Sequence, residues 1–165
     1  MSDSTYPGVV DWTPYQSCDV MWMARAIEMA RMAYSEGEVP VGAVLTWGGT
    51  LLAEGYNLTI TAKDPTAHAE VVVLRKAAER LGDWRMLECT LYVTLEPCSM
   101  CAGALVVSRL PRLVFGASDP KSGMVGSLGN LVQDERLNHR IKVTGNVLED
   151  SSRVLLKDFF RTLRD

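Results

Sequence analysis

Two short stretches hold the residue types from which a metal-dependent hydrolytic site can be built: His68-Ala69-Glu70 and Pro97-Cys98-Ser99-Met100-Cys101. Cys98 and Cys101 stand at i and i+3, a spacing that turns both sulfurs toward one ion at the first turn of a helix. Helix starts carry unpaired N–H groups and partial positive charge, which favour thiolates over thiols. One imidazole and two thiolates make a three-ligand zinc site with bonds of roughly 2.0–2.3 Å, and the fourth position is left for water. That open position separates a catalytic site from a structural one, which needs four protein ligands. Zinc lowers the pKa of its water to ~7, and a neighbouring carboxylate can take the released proton and redeliver it. Glu70, two residues from His68, is placed for that work.

Other readings of the same residues remain open at this point. The chain has two further cysteines, Cys18 and Cys89, and one further histidine, His139. A structural zinc site with Cys89 or His139 as fourth ligand is one alternative. A redox pair at Cys98 and Cys101 is another, but it leaves His68 and Glu70 without a role. Glu70 alone would serve as a helix-start carboxylate favouring the dipole. Cobalt or iron can occupy ligands of this kind as well as zinc.

The elements that must position these groups can be read from periodicity. From Val20 the apolar residues Met23, Ala24, Ile27, Ala30 and Tyr34 fall on one helical face, and Gly37 and Pro40 stop the helix. Val41 to Trp47 and Leu51 to Asn57 read as strands joined by Gly48-Gly49, a hairpin signal. Ala67, Val71, Leu74, Ala78 and Leu81 recur at helical spacing, so a helix begins close to His68. Thr90 to Leu95 reads as a buried strand. Ser99 to Ser108 reads as a short helix, apolar all round and therefore buried. A strand at Leu113 to Gly116 follows, then a loop with Gly123, Gly126 and Gly129, and a strand at Ile141 to Thr144. A last helix carries Leu156, Phe159, Phe160 and Leu163 on one side. Alternating strands and helices predict an α/β sheet covered on both faces. Residues 1–17, with Pro7, Gly8 and Pro14 and no periodicity, are expected to form an extended arm ahead of a single domain at 18–165.

Composition narrows the class. The 165 residues carry a net charge of −3, and 47% of them are hydrophobic, as in an ordinary folded globule. Residues 1–100 hold 7 Lys and Arg against 13 Asp and Glu, whereas residues 101–165 hold 10 against 7. An acidic body with a basic last third is compatible with a local phosphate-binding face and equally with a solvated helix surface. The apolar run from Ala102 to Val107 is far too short to span a bilayer. The first twenty residues carry Asp3, Asp11 and Asp19 and no secretory-type apolar stretch, so the cytoplasm is the expected compartment. Four cysteines in that compartment point to metal binding, catalysis or inert burial rather than to disulfides.

The two chemical motifs have the His-x-Glu and Pro-Cys-x-x-Cys form of the zinc nucleobase deaminases, a signature that serves as a general reference pattern. From about Val20 to Arg164 the chain resembles the bacterial tRNA-specific adenosine deaminases. The resemblance also runs through Glu38-Val39-Pro40-Val41-Gly42-Ala43, Gly55-Tyr56-Asn57, Asp64-Pro65-Thr66-Ala67, Thr94-Leu95-Glu96, Phe115-Gly116-Ala117, Asn138-His139-Arg140 and Asp158-Phe159-Phe160-Arg161. It implies a three-layer α/β/α cytidine deaminase-like fold with a mixed five-stranded sheet, one zinc ion per subunit and a homodimer. The implied reaction is attack at C6 of the wobble adenosine of a tRNA anticodon stem-loop, giving inosine, with Glu70 moving the proton. By the same resemblance Asn57 bonds the base edge or its sugar, Ala69 belongs to the substrate-binding set, Asp119, Lys121 and Ser122 line the RNA channel, and Phe159 and Phe160 stack on splayed nucleotides, although their spacing fits a plain core stripe equally; His139 either touches phosphate or stays a solvated loop residue. A guanine, cytosine or nucleotide deaminase with the same zinc site is the competing expectation. Leu58-Thr59, Met124-Val125 and Asp134-Glu135 depart from the family pattern and bear on RNA affinity.

Overall fold

The structure, a computed structural model, describes residues 9–165; residues 1–8 of the expected arm lie outside the described residues. Among the described residues nine elements follow one another: α1 (Asp19–Ser35), β1 (Gly42–Trp47), β2 (Thr50–Tyr56), α2 (Ala69–Leu81), β3 (Cys89–Leu95), α3 (Ser99–Val107), β4 (Arg112–Ala117), β5 (Lys142–Thr144) and α4 (Glu149–Thr162). The strands form a five-stranded sheet in the order β2-β1-β3-β4-β5. β1 is antiparallel to both β2 and β3, whereas β3, β4 and β5 run parallel. The sheet is therefore mixed, and helices cover both its faces in three α/β/α layers.

Side-chain alternation along the strands divides the core into two layers. On one face Val44, Tyr92 and Val114 pack with Met23, Ala26 and Ile27 of α1. On the other face Ala43, Leu45, Leu91, Val93, Leu113 and Phe115 pack with Val73 and Ala77 of α2 and Ala102 and Leu105 of α3. The β1–β2 hairpin closes through Gly48 at φ +54° and Gly49 at φ +83°, the two positive values that a type I′ turn requires. No described helix is long and apolar enough to cross a membrane.

Three faces differ from their predicted form. The buried side of α2 is Ala69, Glu70, Val73 and Ala77, while Leu74, Ala78 and Leu81 are only half-buried. Small side chains let the helix backbone settle close to the sheet, and the leucines are carried to the flank. In α3, Val107 at the last turn is exposed although Cys101, Ala102, Leu105 and Val106 are buried. In α4 the inward residues are Ser152 and Phe159, and Phe160 and Leu163 face outward.

Residues 9–17 lie along the β5 edge. Trp12 pairs with Val143, the Thr13 amide donates to Val143 O at 2.7 Å, and the Trp12 ring meets Phe115 with centroids 5.9 Å apart. Gln133 brackets Asp11, accepting its amide at 2.9 Å and donating to its carbonyl at 3.0 Å. An edge strand that would otherwise offer unpaired backbone groups is thus covered.

At the start of α1 a buried ion pair ties the helix to the sheet. Arg112 donates to both oxygens of Asp19 at 2.8 and 2.7 Å and to Thr144 Oγ1 at 3.0 Å. Burial pushes the Asp19 carboxyl up, but the Arg112 hydrogen bonds and charge and the Gln16 amide outweigh it and hold the group below its ordinary value of 3.8. Removing one partner strands the other charge, so Asp19→Asn is expected to cost about 3–5 kcal/mol in urea unfolding at pH 7. A depressed folded-state pKa stabilises fully above the unfolded value of ~3.9, and the contribution is lost as pH falls through the folded value. The gap between wild type and Asp19→Asn therefore narrows below pH ~4. A gap that stays constant with pH would show that the carboxylate charge is not what holds α1 in place.

Candidate active site

Both metal-ligand motifs occupy helix N-caps. His68 is the N-cap of α2 at φ −68°, ψ 154°, and Cys98 is the N-cap of α3 at φ −73°, ψ 178°. N-caps usually carry Ser, Thr, Asp or Asn to bond the first-turn amides. Here neither side chain makes a capping hydrogen bond, and each is turned toward the other helix. β2 and β3 flank β1 and, both antiparallel to it, run in the same direction, so α2 and α3, which follow them, begin at the same end of the sheet. That brings two motifs 30 residues apart together.

His68 Nδ1 stands 3.6 Å from Cys98 Sγ and 3.5 Å from Cys101 Sγ. With a nitrogen bond of ~2.0 Å, a sulfur bond of ~2.3 Å and tetrahedral angles, zinc requires nitrogen–sulfur separations of about 3.5 Å. The three groups fit such an ion, and among the described residues they are the one His/Cys/Asp/Glu grouping of this kind. Cys89 is not part of it: its thiol points to Leu87 O at 3.4 Å, and burial pushes it up to about 11. His139 Nε2 lies 2.6 Å from Leu110 O, so its ring is engaged away from the cysteines.

The two thiols are pushed in opposite directions. A hydrogen bond from Cys101, with His68 alongside, holds the Cys98 thiol down at about 3, while the same bond, burial and the Glu70 charge push Cys101 up. Glu70 is 4% exposed, and burial raises its carboxyl above the ordinary value. A buried carboxylate whose affinity for protons is raised suits proton transfer near neutral pH.

These groups open onto a cavity of about 270 Å³. Val39, Val41 and Leu95 give it an apolar wall; Asn57, Ala69, Asp119 and Ser122 line it together with His68, Glu70 and Cys98. Lys121, Phe159 and Phe160 do not line it. Lys121 is exposed on the adjoining loop. Phe159 is 5% exposed and packs edge-on against Tyr34, and Phe160, 45% exposed, meets the Phe159 ring at 5.5 Å.

Two buried acids that spacing did not single out organise the rim. Glu38, fully buried, accepts from the Thr61 amide at 2.6 Å, the Ile60 amide at 3.3 Å and Asn57 Nδ2 at 3.4 Å, and so shapes the loop after β2. Glu96, 2% exposed, does the same for the loop after β4. The available signal was an acid inside an apolar stretch, Glu38 before Val39-Pro40 and Glu96 between Leu95 and Pro97. The departures from the family pattern are accommodated locally: Val125 is buried, and Arg136 pairs with Asp134 at 2.7 Å, offsetting its charge.

Residues 18–164 match the family model of the MafB19-like deaminases. The chain is 50% identical to a tRNA-specific adenosine deaminase of Bacillus subtilis (strain 168) over 146 residues, which cover 88% of this chain and 91% of the relative. A solved structure from work on A-to-I editing by tRNA:A34 deaminases at the wobble position superposes with a TM-score of 0.80 at 42% identity, covering 82% of this chain and 99% of that one. A guanine deaminase structure from Bacillus subtilis superposes with a TM-score of 0.57 at 39% identity, over 59% of this chain and 63% of that one.

Proposed function

The chain belongs to the tRNA-specific adenosine deaminases, within the MafB19-like deaminase family, and from that premise we propose that it converts adenosine to inosine at the wobble position of a tRNA anticodon loop. The observation that carries the reading is the convergence of His68, Cys98 and Cys101 beside a buried Glu70 at the floor of a base-sized cavity. His68 Nδ1 and the sulfurs of Cys98 and Cys101 would hold zinc, one ion per subunit. Bound there, zinc would supply the Lewis-acid charge that lowers the pKa of a water to near neutral pH.

The remaining steps belong to the protein. A Glu70 carboxylate oxygen takes the proton of the attacking water as its oxygen adds to C6. Glu70 then gives that proton to N1 of the ring, takes the proton of the new C6 hydroxyl and passes it to the amine, so that the C6–N bond breaks as the C6 carbonyl forms, ammonia leaves and inosine remains. Asn57, steadied by Glu38, bonds the base or its ribose, and Ala69 packs against the ring. Val39, Val41 and Leu95 exclude bulk water. Asp119, Lys121 and Ser122 follow the RNA strand away from the cavity, and Phe160, backed by Phe159, offers a stacking surface to a flanking nucleotide. An anticodon loop presents nucleotides already partly unstacked, which lowers the cost of withdrawing the base. The reading places one deaminase domain at 18–165, preceded by the 1–17 arm, in a cytoplasmic homodimer.

The similarity to a guanine deaminase structure supports a second reading, release of ammonia from a free purine. Incubating the purified protein with unmodified tRNA transcripts and with free guanine, cytosine and nucleotides separates the two. Inosine at the wobble position of a transcript is the expected product; ammonia from free bases alone would overturn the tRNA assignment.

A further inference from the structure

Glu96 opens the turn from β3 into the metal-binding helix, directly before Pro97-Cys98. Each of its oxygens accepts two hydrogen bonds from the loop after β4. Oε1 takes the Asp119 amide at 3.0 Å and the Ser127 hydroxyl; Oε2 takes the amides of Val125 at 3.0 Å and Ser127 at 3.1 Å. Asp119 in turn folds the loop tip, its Oδ1 accepting the amides of Lys121 at 3.1 Å and Ser122 at 3.3 Å. Gly123 presses onto this centre: a Cβ there would stand 2.3 Å from the Glu96 carboxyl carbon. Gly123 also pairs with Cys98, and the Met124 amide donates to Pro97 O at 2.9 Å. One loop thus touches a metal ligand on one side and lines the cavity through Asp119 and Ser122 on the other.

We propose that Glu96 is a positioning residue that sets the 119–127 loop against the RNA strand, and so governs substrate binding rather than proton transfer. The inference rests on the tRNA deaminase reading. A carboxylate is suited to the task because it only accepts, and four donors converge on it. Glutamine has the same shape but turns an NH₂ toward two of those donors. Placed at Oε2 the NH₂ faces two amides. Placed at Oε1 it faces the Asp119 amide and a hydroxyl that can reverse its role. Either way at least one backbone anchor of the loop is lost.

The test compares wild type, Glu96→Gln and Ser127→Ala as full-length, zinc-loaded proteins. The measurements are steady-state kinetics on an anticodon stem-loop, metal content, thermal unfolding and amide hydrogen exchange. Glu96→Gln is expected to raise KM ~10-fold or more while kcat stays within ~3-fold, the pattern of lost uniform binding. Metal content is expected to be unchanged, and the amides of Asp119, Val125 and Ser127 to exchange faster. Ser127→Ala should move KM the same way by a smaller factor, and it decides the matter if Glu96→Gln does not fold. Wild-type KM and wild-type exchange in the Gln variant would overturn the proposal, as would a fall in kcat with KM unmoved. A wild-type protein inactive on the stem-loop would instead sink the tRNA reading, leaving the exchange data to decide whether Glu96 holds the loop.

Discussion

Glu70→Gln is expected to lower kcat ~10²–10⁴-fold, the range that a positioned proton-transfer group contributes, while the protein keeps its zinc and its fold. The carboxyl is 4% exposed, and burial is the first cause of its raised affinity for protons. Burial therefore works against the carboxylate the reaction needs. Gln removes that cost without changing the side-chain volume, so the unfolding temperature should hold or rise as activity collapses. This pairing of opposite signs distinguishes the shuttle from a helix-start carboxylate. A residue present only for the α2 dipole would lose a few tenths of a kcal/mol, up to about 1, on replacement and leave turnover untouched. Single-turnover assays on the stem-loop, with metal analysis and a melting curve on the same sample, decide between them.

Loss of a metal ligand should be more damaging still, because it affects structure as well as chemistry. Cys98→Ala or His68→Ala leaves two protein ligands, where even the four ligands of structural zinc-finger sites bind with only ~10–16 kcal/mol of apparent affinity. Zinc should then fall from one per chain to a small fraction, and inosine formation should become undetectable. The unfolding temperature should drop in the wild type when zinc is stripped by a chelator, and recover on its return. In the stripped protein His68, two cysteines and Glu70 are left crowded. Cys89→Ala is the control, since its thiol faces Leu87 O and takes no part in the site. It should retain zinc and full activity; activity surviving in Cys98→Ala would refute the metal assignment.

What could be read from the chain alone depended on local codes. Gly48-Gly49 specifies its turn because no other residue pair tolerates both positive φ values so easily. The i, i+3 spacing of Cys98 and Cys101 is a property of one helical turn, and His68 is recognisable as the start of the next motif. The rest depended on partners distant in sequence. Glu38 and Glu96 bind loop groups 19 to 31 residues away, and nothing in their spacing announces which donors will reach them. The path of residues 9–17 is set by the β5 edge that receives Trp12, and residues lacking periodicity give no hint of such docking. The α2 face was misjudged for a related reason. Leucine and valine positions dominate a periodicity count, but close approach to a sheet selects the alanines.

The most direct test of the central claim is X-ray absorption at the zinc edge of the purified protein. The account predicts two sulfurs at about 2.3 Å, one imidazole nitrogen at about 2.0 Å and a single light atom from solvent completing the shell. A shell of four protein ligands, or one lacking sulfur, would contradict it.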